Sequence, residues 1–562
     1  MNLSYGPAAI GLALAVTLAA CAAKPDLDAD PQEVRTALRS MLASDSAPVL
    51  MAERRALARK AYEARDYAPI WIDGEATDRV RGLIDAICSA DLDGLHPWEY
   101  DLAPVRDALR RIDEGGEADA AAVAALELRF TGLFLEYAAD LAAGRHDPRR
   151  VEKQWYIRTP PATIDSLLTG ALAAESFEEM RAALVPQQEE YAGLAAALHD
   201  YRGIDSAGGW PKIPDGEAVA VGERDPRAPV LRRRLIATGD LPGTDRSDST
   251  FDGELAAGIA RFQARHGLDV DSALGEKTRE ALNVPVADRI RQIELNLERL
   301  RWVPRSFGDR YILVNIPNYY LQAYDSGRKV LEMKVVVGDE YGSATPVFSD
   351  SMTYVVFRPY WNIPESILAE EILPKVREDA SYLARNNYEI VKSMDDPEPV
   401  GVSDIDWSGP DDGPFPYLAR QKPGAQNSLG LVKFMFPNRF SIYLHDTPAD
   451  HLFDRSVRSL SHGCIRLEDP VRLADFVFSD SREWSGPRIR AAMSGTDDNR
   501  TVNLDRQIPV YILYLTAFAQ DGTVHFRDDL YGMDARAMER IAAEPRRDMS
   551  GICEELRELL RG

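Results

Sequence analysis

Residues Tyr443–Leu467 read YLHDTPADHLFDRSVRSLSHGCIRL, and this stretch places a cysteine and histidines where they can act together. A thiol attacks as its thiolate, and an imidazole that takes its proton supplies both a base and a stabilising cation. Cys464 has two such partners, His462 and His445. His462 is two residues away, and in an extended segment it shares the thiol's face. His445 ends an alternating apolar run, Phe440–Leu444 (FSIYL), which reads as a strand delivering it to an edge or mouth. Gly463 lets backbone come close, so that amide N–H groups there can hold a tetrahedral oxyanion. Two plainer readings stand beside this one. A lone cysteine is often a small buried hydrophobe. Zinc would need His445, His451, His462 and Cys464, whose spacing matches no common structural site.

The motif resembles the active-site signature of the L,D-transpeptidases, the YkuD-type cysteine acyltransferases of the bacterial cell wall. There a first histidine, here His445, precedes a spacer, here Asp446 to Leu460, and then Ser-His-Gly-Cys, here Ser461, His462, Gly463 and Cys464. The resemblance implies that Cys464 is the nucleophile and His445, not the nearer His462, the general acid and base. It further implies that the Asp446 backbone carbonyl orients the imidazole and that Tyr443 assists the oxyanion. Arg420–Asn438 (RQKPGAQNSLGLVKFMFPN) and Phe357–Ile367 (FRPYWNIPESI) resemble the large periplasmic subgroup. Arg466 stands where many shorter members have Asn, and its guanidinium suits a substrate carboxylate. Trp361, Arg466, Ser461, His462, Asn438 and Lys433 are the expected substrate contacts.

Outward from the motif, a length of 562 residues predicts several domains. The formal charge of −24 argues against nucleic acid or an anionic membrane surface as a partner. Residues 1–21 hold an apolar run, Ala8–Ala20, that ends in Leu-Ala-Ala-Cys, which reads as a lipoprotein-type export signal with Cys21 as the lipidated residue. The first six residues lack Lys or Arg, a departure from the usual signal, and a cleaved signal peptide or an uncleaved anchor are the alternatives. The expected location is periplasmic, with an outer-membrane anchor. Cys88 and Cys553 are then left over, either paired in an oxidising compartment or buried as free thiols.

Residues 22–227 are expected to be a helical scaffold, with helices over Glu33–Leu42, Ala52–Arg65, Arg79–Ala90, Ala121–Ala143 and Phe177–Leu198. Residues 228–284 resemble a three-helix peptidoglycan-binding module, in which Asp271-Ser272 stands where the family usually has Asp-Gly. A connector helix, Val286–Trp302, lies in the segment 285–305. Residues 306–515 are expected to form a mainly antiparallel β catalytic domain, with a partly helical lid over about 365–413. Tyr311–Ile316, Tyr320–Tyr324, Val330–Val337, Met352–Phe357, Leu431–Phe436, Ser441–His445 and Val510–Ala519 read as strands. Val471–Phe478 and Ala535–Arg561 read as helices, and residues 516–562 as a closing strand and helix. The fold class expected is therefore α+β and multidomain.

The activity implied is 3→3 cross-linking of peptidoglycan through a Cys464 thioester on a tetrapeptide stem of the meso-diaminopimelate type. No metal or organic cofactor is required. Carbapenem β-lactams are expected covalent inhibitors, and other wall-synthesis proteins candidate partners. The same thioester passed to water, to a cross-link or to an envelope protein gives carboxypeptidase, endopeptidase or wall-attachment chemistry. A non-catalytic peptidoglycan-binding lipoprotein is the alternative of a different class.

Overall fold

The computed structural model describes residues 27–44, 52–115, 118–157, 161–243, 246–339, 342–393, 397–405, 407, 415–541 and 548–561. The expected signal and Cys21 lie outside them. Among the described residues no helix is long and apolar enough to cross a membrane.

The scaffold is built on Ala120–Ala143, a helix apolar on nearly every side and accordingly buried through most of its length. Its one buried carboxylate, Glu127, accepts the backbone N–H groups of Trp71 and Ile72 and the Tyr62 hydroxyl. The expected helix Phe177–Leu198 is two helices, Phe177–Leu184 and Glu189–Ser206. Pro186 explains the break, because it has no N–H to donate and pushes Val185 out of the helical region, to ψ 135°. The second piece leaves the scaffold core and buries Tyr191, Leu194 and Leu198 in the core of the β domain.

The three-helix module comprises Ala228–Ala237, Gly253–Arg265 and Glu276–Leu282, around a core of its own. Ser272 takes the left-handed turn, at φ +61°, that the usual glycine would take. The helix Val286–Arg301 follows, and four of its charged residues, Arg289, Glu298, Arg299 and Arg301, are buried rather than solvated. Arg299 is fully buried between Glu152 of the scaffold and Asp534 near the C-terminus.

The β domain holds β1 (Arg310–Asn315), β2 (Tyr320–Asp325), β3 (Arg328–Gly338) and β4 (Phe348–Phe357). Three strands of an inserted segment follow, β5 (Trp361–Asn362), β6 (Tyr388–Val391) and β7 (Leu418–Gln421). The chain then returns through β8 (Val432–Met435), β9 (Leu444–His445), β10 (Ser459–Ser461), β11 (Ile465–Leu467) and β12 (Arg500–Leu513). The main sheet runs β10-β3-β11-β9-β8-β4-β12-β1-β2, and β2 pairs back onto β3, so the sheet closes on itself. Most pairs are antiparallel; β1/β12, β9/β11 and β3/β10 are parallel. Alternate residues, among them Val355, Phe357, Val432, Phe434, Leu444 and Ile465, enter the shared core. The residues between them face outward.

Three expected spans are corrected. The strand before His445 is only Leu444–His445, because Ser441 stands at φ +56° and ends any extended run. The late strand begins at Arg500, not Val510, and stops at Leu513, with a register shift between Asn503 and Ile508. The C-terminal helix is two, Met533–Arg540 and Ser550–Leu560, with residues 542–547 outside the description. Ser550–Leu560 packs in the scaffold core, where Cys553 is disulfide-bonded to Cys88 across 465 residues of chain.

The inserted segment has a small core of its own, Ile367, Leu368, Ile372, Leu373, Val376, Leu383 and Ile390 among it, over the strand order β5-β7-β6. Leu368–Ile372 is a π-helical turn, a local widening that recurs near functional sites.

Candidate active site

Register assembles the site. Cross-strand partners share a face, and one row of partners runs Thr501 (β12), Val356 (β4), Lys433 (β8), His445 (β9), Arg466 (β11). His445 therefore lies between two cationic side chains on the outward face. It is only 4% exposed. Its Nδ1 is 2.5 Å from the Asp446 carbonyl oxygen, which can only accept, so Nδ1 carries the hydrogen and Nε2 is left as the acceptor. Burial, with Arg466 and Lys433 nearby, pushes the imidazole down to about 3, so it is neutral at physiological pH.

Cys464 sits in the turn between β10 and β11. Burial raises its thiol pKa, against the Tyr443 backbone N–H and hydroxyl, Arg466 and Lys433, all of which favour the thiolate. At rest the thiol and the imidazole are thus both neutral. The thiol also points at the Ser441 carbonyl, 3.7 Å away. Burial lowers the pKa of both Lys433 and Arg466, and a Cys464 thiolate would support each cation. The Arg466 Nε is buried with no hydrogen-bond partner among the described residues.

Residues 309–489 match the L,D-transpeptidase catalytic domain, residues 56–198 the scaffold domain and residues 224–282 the "Putative peptidoglycan binding domain". Residues 309–489 are an L,D-transpeptidase catalytic domain. A Haemophilus influenzae protein named "Putative L,D-transpeptidase" is 35% identical over 243 residues, which is 43% of this chain and 48% of that one. The chain thus spans about half the length of that curated relative. Two solved L,D-transpeptidases also match at 14% identity. One, from Xylanimonas cellulosilytica, has a TM-score of 0.17 and covers 53% of this chain and 99% of its own; the other, from Stackebrandtia nassauensis, has 0.21, with 56% and 99%. Superpositions this loose carry no structural argument.

Within the transpeptidase domain several expected contacts have other work. Asn438 donates to the carbonyls of Phe436 and Ile442 and accepts from the Phe440 and Ile442 amides, so it braces the turn before β9 rather than reaching for substrate. Ser461 is buried, donates to the Cys464 carbonyl at 2.6 Å and accepts the Gly463 N–H at 3.2 Å. That second bond occupies the Gly463 amide, which was expected at the oxyanion. Trp361 lies against the small core of the inserted segment, 6.4 Å from the Tyr388 ring. His462 turns outward to the same segment, its Nε2 2.5 Å from a Glu371 carboxylate oxygen.

Sequence reading missed the support beneath the turn that carries Cys464. Thr345 Oγ1 accepts the Gly338 N–H at 2.9 Å and donates to the Gly463 carbonyl at 2.8 Å. Tyr531, from the C-terminal segment, donates to the Gly338 carbonyl at 2.6 Å and accepts from Thr345 N–H at 3.3 Å. Gly338 is required by space, since a Cβ there would stand 1.9 Å from the Ser343 carbonyl oxygen. Only the glycine at the end of an apolar strand signalled this. Among the described residues no group of three or more His, Cys, Asp or Glu is arranged to hold a metal ion.

Proposed function

We propose that this protein is an exported L,D-transpeptidase that forms 3→3 peptidoglycan cross-links by way of a Cys464 thioester. The observation that carries the reading is the row Lys433–His445–Arg466 beside Cys464, with the base already in the tautomer that accepts a proton. Cys464 attacks the carbonyl at the L-centre of meso-diaminopimelate in a tetrapeptide stem, and His445 Nε2 takes the thiol proton as the C–S bond forms. The Cys464 amide and the Tyr443 hydroxyl hold the oxyanion. The C–N bond to D-Ala breaks, and His445 returns the proton to the leaving amine. A side-chain amine of a second stem then attacks the thioester and gives its proton to His445. The C–S bond breaks, a C–N bond replaces it, and the thiol is restored.

Arg466 suits a donor carboxylate, since its partnerless Nε leaves donor capacity unused. The small module is proposed to hold the wall near the site, and residues 365–413 to act as a lid latched by the His462–Glu371 contact. Lipidation at Cys21 and a periplasmic location belong to the same proposal. Water as acceptor would make the enzyme an L,D-carboxypeptidase, and the choice lies with the acceptor rather than the nucleophile.

The test is mass spectrometry of residues 22–562, incubated with disaccharide-tetrapeptide, beside Cys464→Ala. A dimer lighter by one D-Ala and one water than two monomers is the expected product. Tripeptide alone would make it a carboxypeptidase, and no Cys464-dependent product would sink the reading. A carbapenem should add its mass to the wild type and nothing to Cys464→Ala.

A further inference from the structure

Arg527 joins three parts of the molecule with one side chain. It follows the short strand Thr523–Phe526, and its own N–H donates to the Thr516 carbonyl at 2.7 Å. Its Nη1 donates to the Arg265 carbonyl of the small module at 2.9 Å and to the Phe526 carbonyl at 2.7 Å. Its Nε donates to Asn318 Oδ1, 2.9 Å away, in the turn between β1 and β2. From the module side the fit is tight: Gly267 has φ +68°, and a Cβ there would stand 2.7 Å from the Arg527 Cδ. The module's His266 ring also stacks on Phe526, with centres 5.4 Å apart.

None of the oxygens that this guanidinium meets among the described residues belongs to a carboxylate, and burial pushes its pKa down to about 10. A cation desolvated without an acid partner is costly. What a guanidinium supplies in return is a rigid fork of donors at fixed angles. Arg527 is therefore placed for shape, and two short runs lead from it toward Cys464.

One run is the chain itself. Tyr531 donates its N–H to the Tyr514 hydroxyl at 2.8 Å and its own hydroxyl to the Gly338 carbonyl at the end of β3, where Thr345 makes the link to Gly463. The other run starts at Asn318. The next residue, Tyr319, accepts Arg458 Nη2 at 3.0 Å and the Val335 N–H at 2.9 Å on its carbonyl. Arg458 also donates from Nε to the Val335 carbonyl at 3.2 Å, and its own carbonyl accepts the Val337 N–H at 2.9 Å. It directly precedes β10, the strand that leads into the Cys464 turn. Arg527 thus touches the module and, by way of Tyr531 and Asn318, reaches that turn from both β3 and β10.

Resting on the transpeptidase reading above, we propose that Arg527 is a positioning residue for Cys464, and that the small module holds it in place. The module is then part of the reacting unit: it seats Arg527, and Arg527 fixes where the Cys464 turn stands in the β domain. A module shifted from its seat leaves the β domain folded and the thiol out of place.

The test compares the full chain with Arg527→Leu, which removes the fork, and with Gly267→Ala, which crowds it from the module side. Amide hydrogen exchange, read by mass spectrometry, should quicken by about fivefold or more over residues 335–339 and 459–465 in both variants. Unchanged exchange there overturns the proposal. In parallel, carbapenem acylation is followed to saturation. The limiting rate should fall by about fivefold or more while the half-saturating concentration stays within about twofold, since Arg527 acts through the turn that carries the thiol. A limiting rate equal to that of the wild type overturns the proposal. Should Arg527→Leu not fold, Gly267→Ala and Arg527→Lys, which keeps one donor, give the same two readouts. Tyr531→Phe cuts the first run alone. Combined with Arg527→Leu, it should lose less than the product of the two single losses, because both act on one turn. Full multiplication would mean unrelated effects and overturn the link. Failure of carbapenem to acylate the wild type would fault the transpeptidase reading, whereas the exchange arm still decides whether Arg527 and the module hold the turn.

Discussion

His445 is held neutral by its surroundings, and that sets how Cys464 must react. With the imidazole at about 3 and the thiol pushed above its ordinary value, the proposed reaction requires proton transfer to accompany attack instead of preceding it. A histidine of ordinary pKa would lose its basicity as pH falls through about 6.5. Here that loss is displaced toward 3, so the rate of carbapenem acylation should be level from pH 5 to 8, read by covalent mass addition. A half-point near 6.5 would contradict the neutral-imidazole site. Lys433→Met removes one of the cations that depress His445 and favour the thiolate. Its base should therefore titrate at higher pH, moving the acid limb of the profile toward neutrality. Tyr443→Phe removes a hydroxyl that faces the sulfur, and should lower the acylation rate by about 10²-fold, the usual cost of one oxyanion donor. The motif residues were legible because spacing and residue type carry that information locally. The different work of Asn438 and Ser461 was not, since their polar groups are consumed by backbone atoms whose positions only the folded turn defines.

At the scale of elements, the nucleophile turn is held from below by the segment after β3. Thr345 makes two buried hydrogen bonds, one to each side of that contact. Thr345→Val leaves the Gly338 amide and the Gly463 carbonyl without that partner and should cost about 1–3 kcal/mol. Acylation should slow with it, and Thr345→Ser, which keeps the hydroxyl, should restore both; measuring melting temperature and acylation together separates the turn's placement from general loss of fold. In the small module, Ser272 bears a left-handed backbone that glycine takes without penalty. Ser272→Gly should raise the module's stability by about 1 kcal/mol, seen as a later unfolding transition in a chemical denaturation. Alternation announced β1 to β4 and β8 because one side of each is apolar. It missed the first half of β12, where Thr501, Asp505 and Arg506 are exposed and few residues reach the core. The Pro186 break was written in the sequence, but an apolar period on both sides of it concealed two helices with different partners.

At the scale of the molecule, distant segments converge on the catalytic domain. The helix Val286–Arg301 joins them: Arg299 bridges Glu152 and Asp534, and Arg301 reaches the Tyr191 hydroxyl at 2.8 Å. Tyr531 then carries the C-terminal segment to the floor of the nucleophile turn. The Cys88–Cys553 disulfide fastens the end of the chain to the scaffold, closing a loop through nearly the whole protein. Replacing both cysteines by serine should lower stability by about 2–4 kcal/mol, measured by denaturant unfolding. Limited proteolysis should then cut first near the C-terminal helix, while carbapenem acylation of the intact fraction persists. Unchanged unfolding would mean that packing in the scaffold core alone holds this helix.

Local sequence pattern was enough to name the candidate residues and the domain types. A nucleophile, its base and their spacing are local properties, and hydrophobic period reports which face of an element is buried. Only the tertiary structure decided that the sheet closes on itself, that Cys88 meets Cys553 rather than staying free, and that Lys433 and Arg466 flank His445. Those facts depend on register and on contacts between residues hundreds of positions apart, and nothing in a local pattern encodes which strand lies beside which.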